Sequence, residues 1–206
     1  PGRGFFVRLR KADPNDETKT IPNPDLEVAG RPVTTARPFT LSLGPIWNMA
    51  ANPYTTALPY ANIVPATADS VRNYGYVYDA TLRNYLLVSS LPGINVARTH
   101  VLPWEGIWLR TNGGSATVNM QAPVGTTDAP VSPQALDLGK DGWALPIVAR
   151  AGGSIDTTTA VGVGPALSGA FQIFNPPMAP GSVDVFIRSA DGTALAAEKI
   201  ERVLTN

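Results

Sequence analysis

Few side chains in this sequence are of types that carry chemistry, and their spacing limits what they could do. His100 is the only histidine and there is no cysteine, so a disulfide, a thiolate nucleophile and a cysteine metal cluster have no residues to form them. A Ser-His-Asp triad would rest on this one ring, and a histidine metal site would draw every other ligand from carboxylates. His100 lies in Arg98-Thr99-His100-Val101 and reads as a surface or strand-edge residue. Glu105, between Trp104 and Trp108, is the one acid in an aromatic setting that suits a sugar, but glycoside hydrolysis needs two carboxyl groups. Glu105 therefore reads as a turn or strand-edge residue. Asp13, Asn15 and Glu17 alternate as oxygen ligands do in calcium loops, although Pro14 intervenes and the glycine of that signature is missing; calcium there stays open. No Gly-x-Ser-x-Gly elbow or P-loop occurs, and Gly162-Val163-Gly164 lacks the third glycine of a dinucleotide fingerprint. The expectation is a protein without catalysis or cofactor.

The totals point the same way. The 206 residues carry 16 basic and 16 acidic side chains, a formal net charge of zero. No global field steers nucleic acid, anionic lipid or a charged substrate toward such a chain. No run of eighteen apolar residues exists, so no membrane span is expected. The chain opens at Pro1 without an initiator Met and reads as a processed, trimmed or excised product. Gly 19 and Pro 20 against 44% apolar residues suit many short strands with frequent turns.

The elements that must position these residues follow from period-2 alternation and turn punctuation. Pro103-Trp104-Glu105-Gly106-Ile107-Trp108-Leu109-Arg110 echoes the opening Pro1-Gly2-Arg3-Gly4-Phe5-Phe6-Val7-Arg8, which places Arg3 opposite Glu105. Leu41-Ser42-Leu43 is echoed by Leu136-Asp137-Leu138, and Trp47 by Trp143. The fold predicted is all-β: two sandwich-like antiparallel units related by a loose internal repeat, one over 1–121 with an orphan N-terminal strand and the other over 122–206, with interleaving allowed. Strands are expected over 5–10, 26–28, 38–43, 74–78 paired with 84–89, 135–138, 142–151 and 183–188. Asn112-Gly113-Gly114 is expected to turn the central strand back into 116–121 as a tight hairpin. Gly152 to Thr159 is small and polar, a loop of unknown shape. Residues 194–203 close the chain as a strand after Asp191-Gly192, with a helix as the competing choice. Tyr74, Tyr76 and Tyr78 fall on one face of their strand, as do Trp104 and Trp108 if that strand is regular. Such rows are usually sandwich core, and an exposed sugar platform is the alternative.

The residues also carry a resemblance. Gly44-Pro45-Ile46-Trp47-Asn48-Met49-Ala50-Ala51-Asn52-Pro53-Tyr54, then Tyr76-Val77-Tyr78-Asp79, then Pro103-Trp104-Glu105-Gly106-Ile107-Trp108 resemble the "GWNMIGNPF", "YVYD" and "PWEGYWV" segments of β-rich modules in large secreted and cell-surface bacterial proteins. The run from Gly142-Trp143 through Asp156 to Pro176-Pro177 is similar to the module that often follows. Pro45 stands where a glycine is usual, and Ala-Leu-Ser-Gly-Ala-Phe at 166–171 stands where acids are usual. The resemblance implies an extracellular, non-catalytic β-sandwich.

Together these readings predict a structural building block of a cell-surface or secreted polymer or filament. The opening strand, Phe5, Phe6, Val7, Arg8 and Leu9, lacks upstream partners and would add to the sheet of a neighbouring copy. Partners are copies of itself. The alternative is a carbohydrate-binding or adhesion module, with Trp104 and Trp108 meeting a surface polysaccharide.

Overall fold

The alternation is realised as sheets. A computed structural model describes residues 33, 36–93, 95–123, 137–164 and 173–199, the last three by their backbone alone. The opening stretch Pro1 to Arg8 with its strand, the Asp13/Asn15/Glu17 trio, strand 26–28 and residues 135–136 lie outside the described residues. The described strands are β1 (Phe39–Leu43), β2 (Trp47–Ala51), β3 (Leu58–Pro59), β4 (Ile63–Pro65), β5 (Val71–Asp79), β6 (Asn84–Ser89), β7 (Val96–Arg98), β8 (His100–Val101), β9 (Gly106–Thr111), β10 (Ala116–Met120), β11 (Trp143–Ala151), β12 (Ser154–Val163), β13 (Ile173–Phe174), β14 (Ile187–Arg188) and β15 (Ala194–Lys199). One 3-10 turn at Tyr60–Asn62 is the only helical element among the described residues. The all-β class is as expected.

Up to Met120 the strands form a sandwich. A five-stranded sheet in the order β2-β9-β5-β6-β7 faces a three-stranded sheet, β1-β10-β4, with the small β3-β8 pair beside them. Leu41, Leu43, Val118 and Met120 from one sheet meet Ala50, Val77, Val88, Ile107 and Leu109 from the other in a buried core. From Trp143 on, the strands form a separate five-stranded sheet, β11-β12-β15-β13 with β14 also on β15. Its pairs are antiparallel except β12 with β15, and β6 with β7 is a second parallel pair.

Four expectations need correction. Asn112 to Gly114 does not close a hairpin: β9 is flanked by β2 and β5, and β10 pairs with β1 and β4. Both edges of β9 are occupied, so the turn carries the chain across to the opposite sheet. Gly152 to Thr159 is not a loop. Gly152 and Gly153, at φ 56° and 75°, form the two-residue turn that right-twisted hairpin strands favour, and Ser154 onward is β12. The expected strand over 183–188 shrinks to Ile187–Arg188, because 183–185 bonds to side chains of β12 instead of to a backbone ladder. Finally, the central strand begins at Gly106, since Trp104 sits at φ 63°, a left-handed conformation that interrupts alternation. Of the proposed echoes, Trp47 packs into the interior while Trp143 is 46% exposed, and Asp137 and Leu138 lie outside any strand.

The crossing from β1 to β2 is strained and tied. Ile46 is β-branched at φ 67°, a conformation such residues rarely adopt. Thr111 N donates to Ile46 O at 2.8 Å, and the Asn48 side chain bonds Gly44 through both its N–H, at 2.7 Å, and its C=O, at 2.8 Å.

Close approach in the middle of the sandwich gives a direct test. A Cβ on Gly75 would lie 2.7 Å from Trp108 O and 2.8 Å from Ile107 Cδ1. Gly75→Ala is expected to destabilise by about 1–3 kcal/mol, the usual range for overpacking, read as a lowered midpoint in urea unfolding. An unchanged midpoint would mean that β5 and β9 are not so closely apposed.

Candidate functional site

Three places bring polar or aromatic side chains together. The first is the corner before β9. Trp104 is 70% exposed, its left-handed backbone turning the indole out from the sheet. Glu105, predicted as a turn or edge residue, is one: its carboxylate pairs with Arg98 at 2.7 Å and accepts Leu102 N–H at 2.9 Å, and its C=O accepts Asn52 N–H at 3.1 Å. His100 is half-buried in β8, with a buried Nδ1 that has no partner. Burial and then Arg98 push its pKa below the ordinary value, against an upward pull from Glu105. These groups brace a turn.

The second place is the outer face of the five-stranded sheet, where the predicted same-face tyrosine row lies. Tyr74, Tyr76, Tyr85 and Leu87 form a buried cluster with Ile173, Ala179 and Ala196 of the second unit, and Trp47, Tyr78 and Trp108 pack against it. Successive rings meet tilted or edge-on at 5.3–6.1 Å, which suits their quadrupoles. Each hydroxyl reaches the chain opposite: Tyr76 donates to Phe174 O at 3.2 Å, Tyr85 to Pro177 O at 2.8 Å, and Tyr74 accepts Phe174 N–H at 2.8 Å. Trp108 Nε1 donates to Tyr85 at 3.1 Å. Burial pushes the pKa of Tyr74 and of Tyr85 up to about 12 and that of Tyr76 well up, so all three stay neutral at physiological pH. Trp104 and Trp108 are therefore not brought together as one platform: the first faces solvent, the second this interior.

The third is a rail of small polar side chains along β12. Asp156 accepts Thr158 N–H and Oγ at 2.8 Å and Val185 N–H at 2.8 Å. Ser154 Oγ accepts Val183 N–H at 3.0 Å and donates to Arg83 O at 2.9 Å, and Thr159 donates to Val185 O. The 183–185 segment thus satisfies its backbone against side chains. Asp184 turns back to accept both Nδ2 bonds of Asn175, at 2.8 and 3.0 Å. Among the described residues no three His, Cys, Asp or Glu side chains gather as metal ligands. Sequence reasoning missed Asp184 and Asn175 altogether. The alternating Ser154, Asp156 and Thr158 signalled a strand with a polar face, but their small side chains read as loop.

Burial pushes the Asp184 carboxyl above its ordinary pKa; Asn175 opposes this and Asp156 adds to it. The folded state then holds that proton more tightly than the unfolded chain. Its contribution is fully present below the unfolded carboxyl range and is lost as pH rises through the folded pKa. In thermal melts from about pH 3 to 7, Asp184→Asn is expected to remove a component of stability that falls with rising pH. A variant-minus-native difference with no pH dependence would contradict this.

Beside these geometries, comparison supplies no relative: the chain matches no protein-family model, no curated protein and no solved structure.

Proposed function

We propose that this chain is a non-catalytic, extracellular structural module, a subunit of a cell-surface or secreted polymer that assembles with copies of itself by strand addition. The observation that carries the reading is β11. Among the described residues it is a nine-residue edge strand, on which Trp143, Leu145 and Val148 are 46%, 57% and 49% exposed. A long apolar edge is a pairing hazard unless something covers it. Pro146 gives no N–H to an added strand, and the bulge between Ile147 and Ala149 twists the edge, so addition would be confined to a short register on one side of the proline. The donor in this reading is the opening strand, Phe5 to Leu9. Zero net charge leaves little long-range repulsion between copies.

A second reading has one observation in its favour. Trp104, exposed at the tip of a braced turn, offers a ring face to a sugar, and carbohydrate binding would then rest on this residue without Trp108.

Light scattering with negative-stain electron microscopy at neutral pH separates the two. Ordered polymers or oligomers are expected, lost on deleting 1–10 and on Leu145→Glu, which places a charge on the edge. Assembly unchanged in both variants, or a monomer throughout, would sink strand addition. A monomer whose tryptophan fluorescence responds to polysaccharide, with the response lost in Trp104→Ala, would replace it with the binding module.

A further inference from the structure

Two guanidinium groups stand side by side at one end of the tyrosine layer without a counter-charge among the described residues. Arg72, on β5, lies with its Cζ 4.9 Å from the centroid of the Phe174 ring. Arg110, on β9, lies 3.4 Å from the same centroid and 6.0 Å from that of Trp47. Both side chains are half-buried, and the Nε atom of each is buried with no hydrogen-bond partner. Among the described residues the one acceptor bonded by either group is Thr111 O, 3.5 Å from Arg110 Nη1, at the limit of a hydrogen bond. The ion pair formed by the described residues, Arg98 with Glu105, is elsewhere.

Electrostatics agrees with this placement. Burial pushes Arg110 below the usual guanidinium pKa, Tyr74 opposes this and the Arg72 charge adds to it. Tyr74 meets the same residue that both guanidiniums contact, Phe174, and both guanidiniums pull its hydroxyl down against its burial. Tyr74 is 5% exposed. Its oxygen accepts Phe174 N–H at 2.8 Å, and its own proton has no acceptor among the described residues. Two stacked cations and a buried hydroxyl thus converge with unspent donors.

Leaving this arrangement empty is unfavourable. Like charges repel, and a buried donor without a partner loses its hydration. Both guanidiniums contact the Phe174 ring, and apart from the long Arg110 contact to Thr111 O their N–H groups have no acceptor among the described residues; a guanidinium fork of this kind suits recognition of planar or tetrahedral oxyanions. We propose that Arg72, Arg110 and Tyr74 form an oxyanion site that takes one carboxylate, sulfate or phosphate group at the seam between the two β units. A bound oxyanion would neutralise the pair and accept the Tyr74 proton. Because the site contains Phe174 of the second unit, occupancy would also hold the seam closed. This inference does not depend on the structural-polymer reading.

The test is the melting temperature of the whole chain, titrated with sulfate, phosphate and acetate against chloride at constant ionic strength. At least one oxyanion is expected to give a saturable rise on the order of 5 °C, and the order among the three identifies the chemical source. Arg110→Gln and Arg72→Gln should each abolish the saturable part. Arg110→Lys, which keeps the charge but not the fork, should weaken binding about tenfold or more. Isothermal titration calorimetry on the native chain reads the same site without a variant that has to fold. A rise that is linear in sulfate, equal in all variants and without saturable heat is general salting-out and would overturn the proposal, as would no response to any oxyanion.

Discussion

A β-strand presents alternate residues to opposite sides, and in this protein one sheet uses both sides to hold a different layer. On β5, Val77 enters the sandwich core while Tyr74, Tyr76 and Tyr78 point outward; on β6, Val88 goes in while Tyr85 and Leu87 go out; on β9, Ile107 and Leu109 go in while Trp108 and Arg110 go out. A one-residue slip in any of these pairings would exchange the apolar set for the tyrosine set. Everything else in the described structure is arranged around this two-faced middle layer. The inner face is aliphatic because it meets another sheet whose backbone groups are already paired. The outer face is tyrosine because it meets the end of the short strand β13 at Phe174 and the irregular stretch after it to Pro177, where Phe174 O and Pro177 O accept tyrosine hydroxyls. Phenolic hydroxyls bring both the apolar area and the donors that such backbone needs.

The same logic explains the polar rail on β12. Residues 183–185 run alongside that strand without forming a ladder with it, and Ser154, Asp156 and Thr159 substitute side-chain groups for the missing backbone partners. Small polar residues reach a neighbouring chain at this distance; larger ones would push it away. Burying Asp156 at 5% exposure is tolerable because it accepts three hydrogen bonds, in keeping with the rule that buried polar groups are paired.

Alternation made the middle layer legible from the sequence. Tyr74, Tyr76 and Tyr78 announce a shared face, and the β5–β6 hairpin follows from the turn residues between two apolar runs. Turn chemistry also placed Asp191-Gly192 ahead of β15, and tertiary pairing with β12 and β14 decided strand over the helix that its Ala and Glu content favoured. What stayed illegible depends on contacts distant in sequence. Nothing local to Asn112-Gly113-Gly114 says that both edges of β9 are taken, so a hairpin signal became a sheet-to-sheet crossing. A left-handed tryptophan at 104 has no sequence signature, since that conformation favours glycine and asparagine. The partners of the tyrosine hydroxyls lie some 90 to 100 positions away, beyond any periodicity, and so does the Phe174 ring that Arg72 and Arg110 both contact.

If the tyrosine layer joins both units into one structure, they cannot melt separately. Differential scanning calorimetry of the whole chain is the most direct measurement. A single transition with equal calorimetric and van 't Hoff enthalpies is predicted. Two resolved transitions, or a calorimetric enthalpy well above the van 't Hoff value, would contradict the account and make the two β units independent.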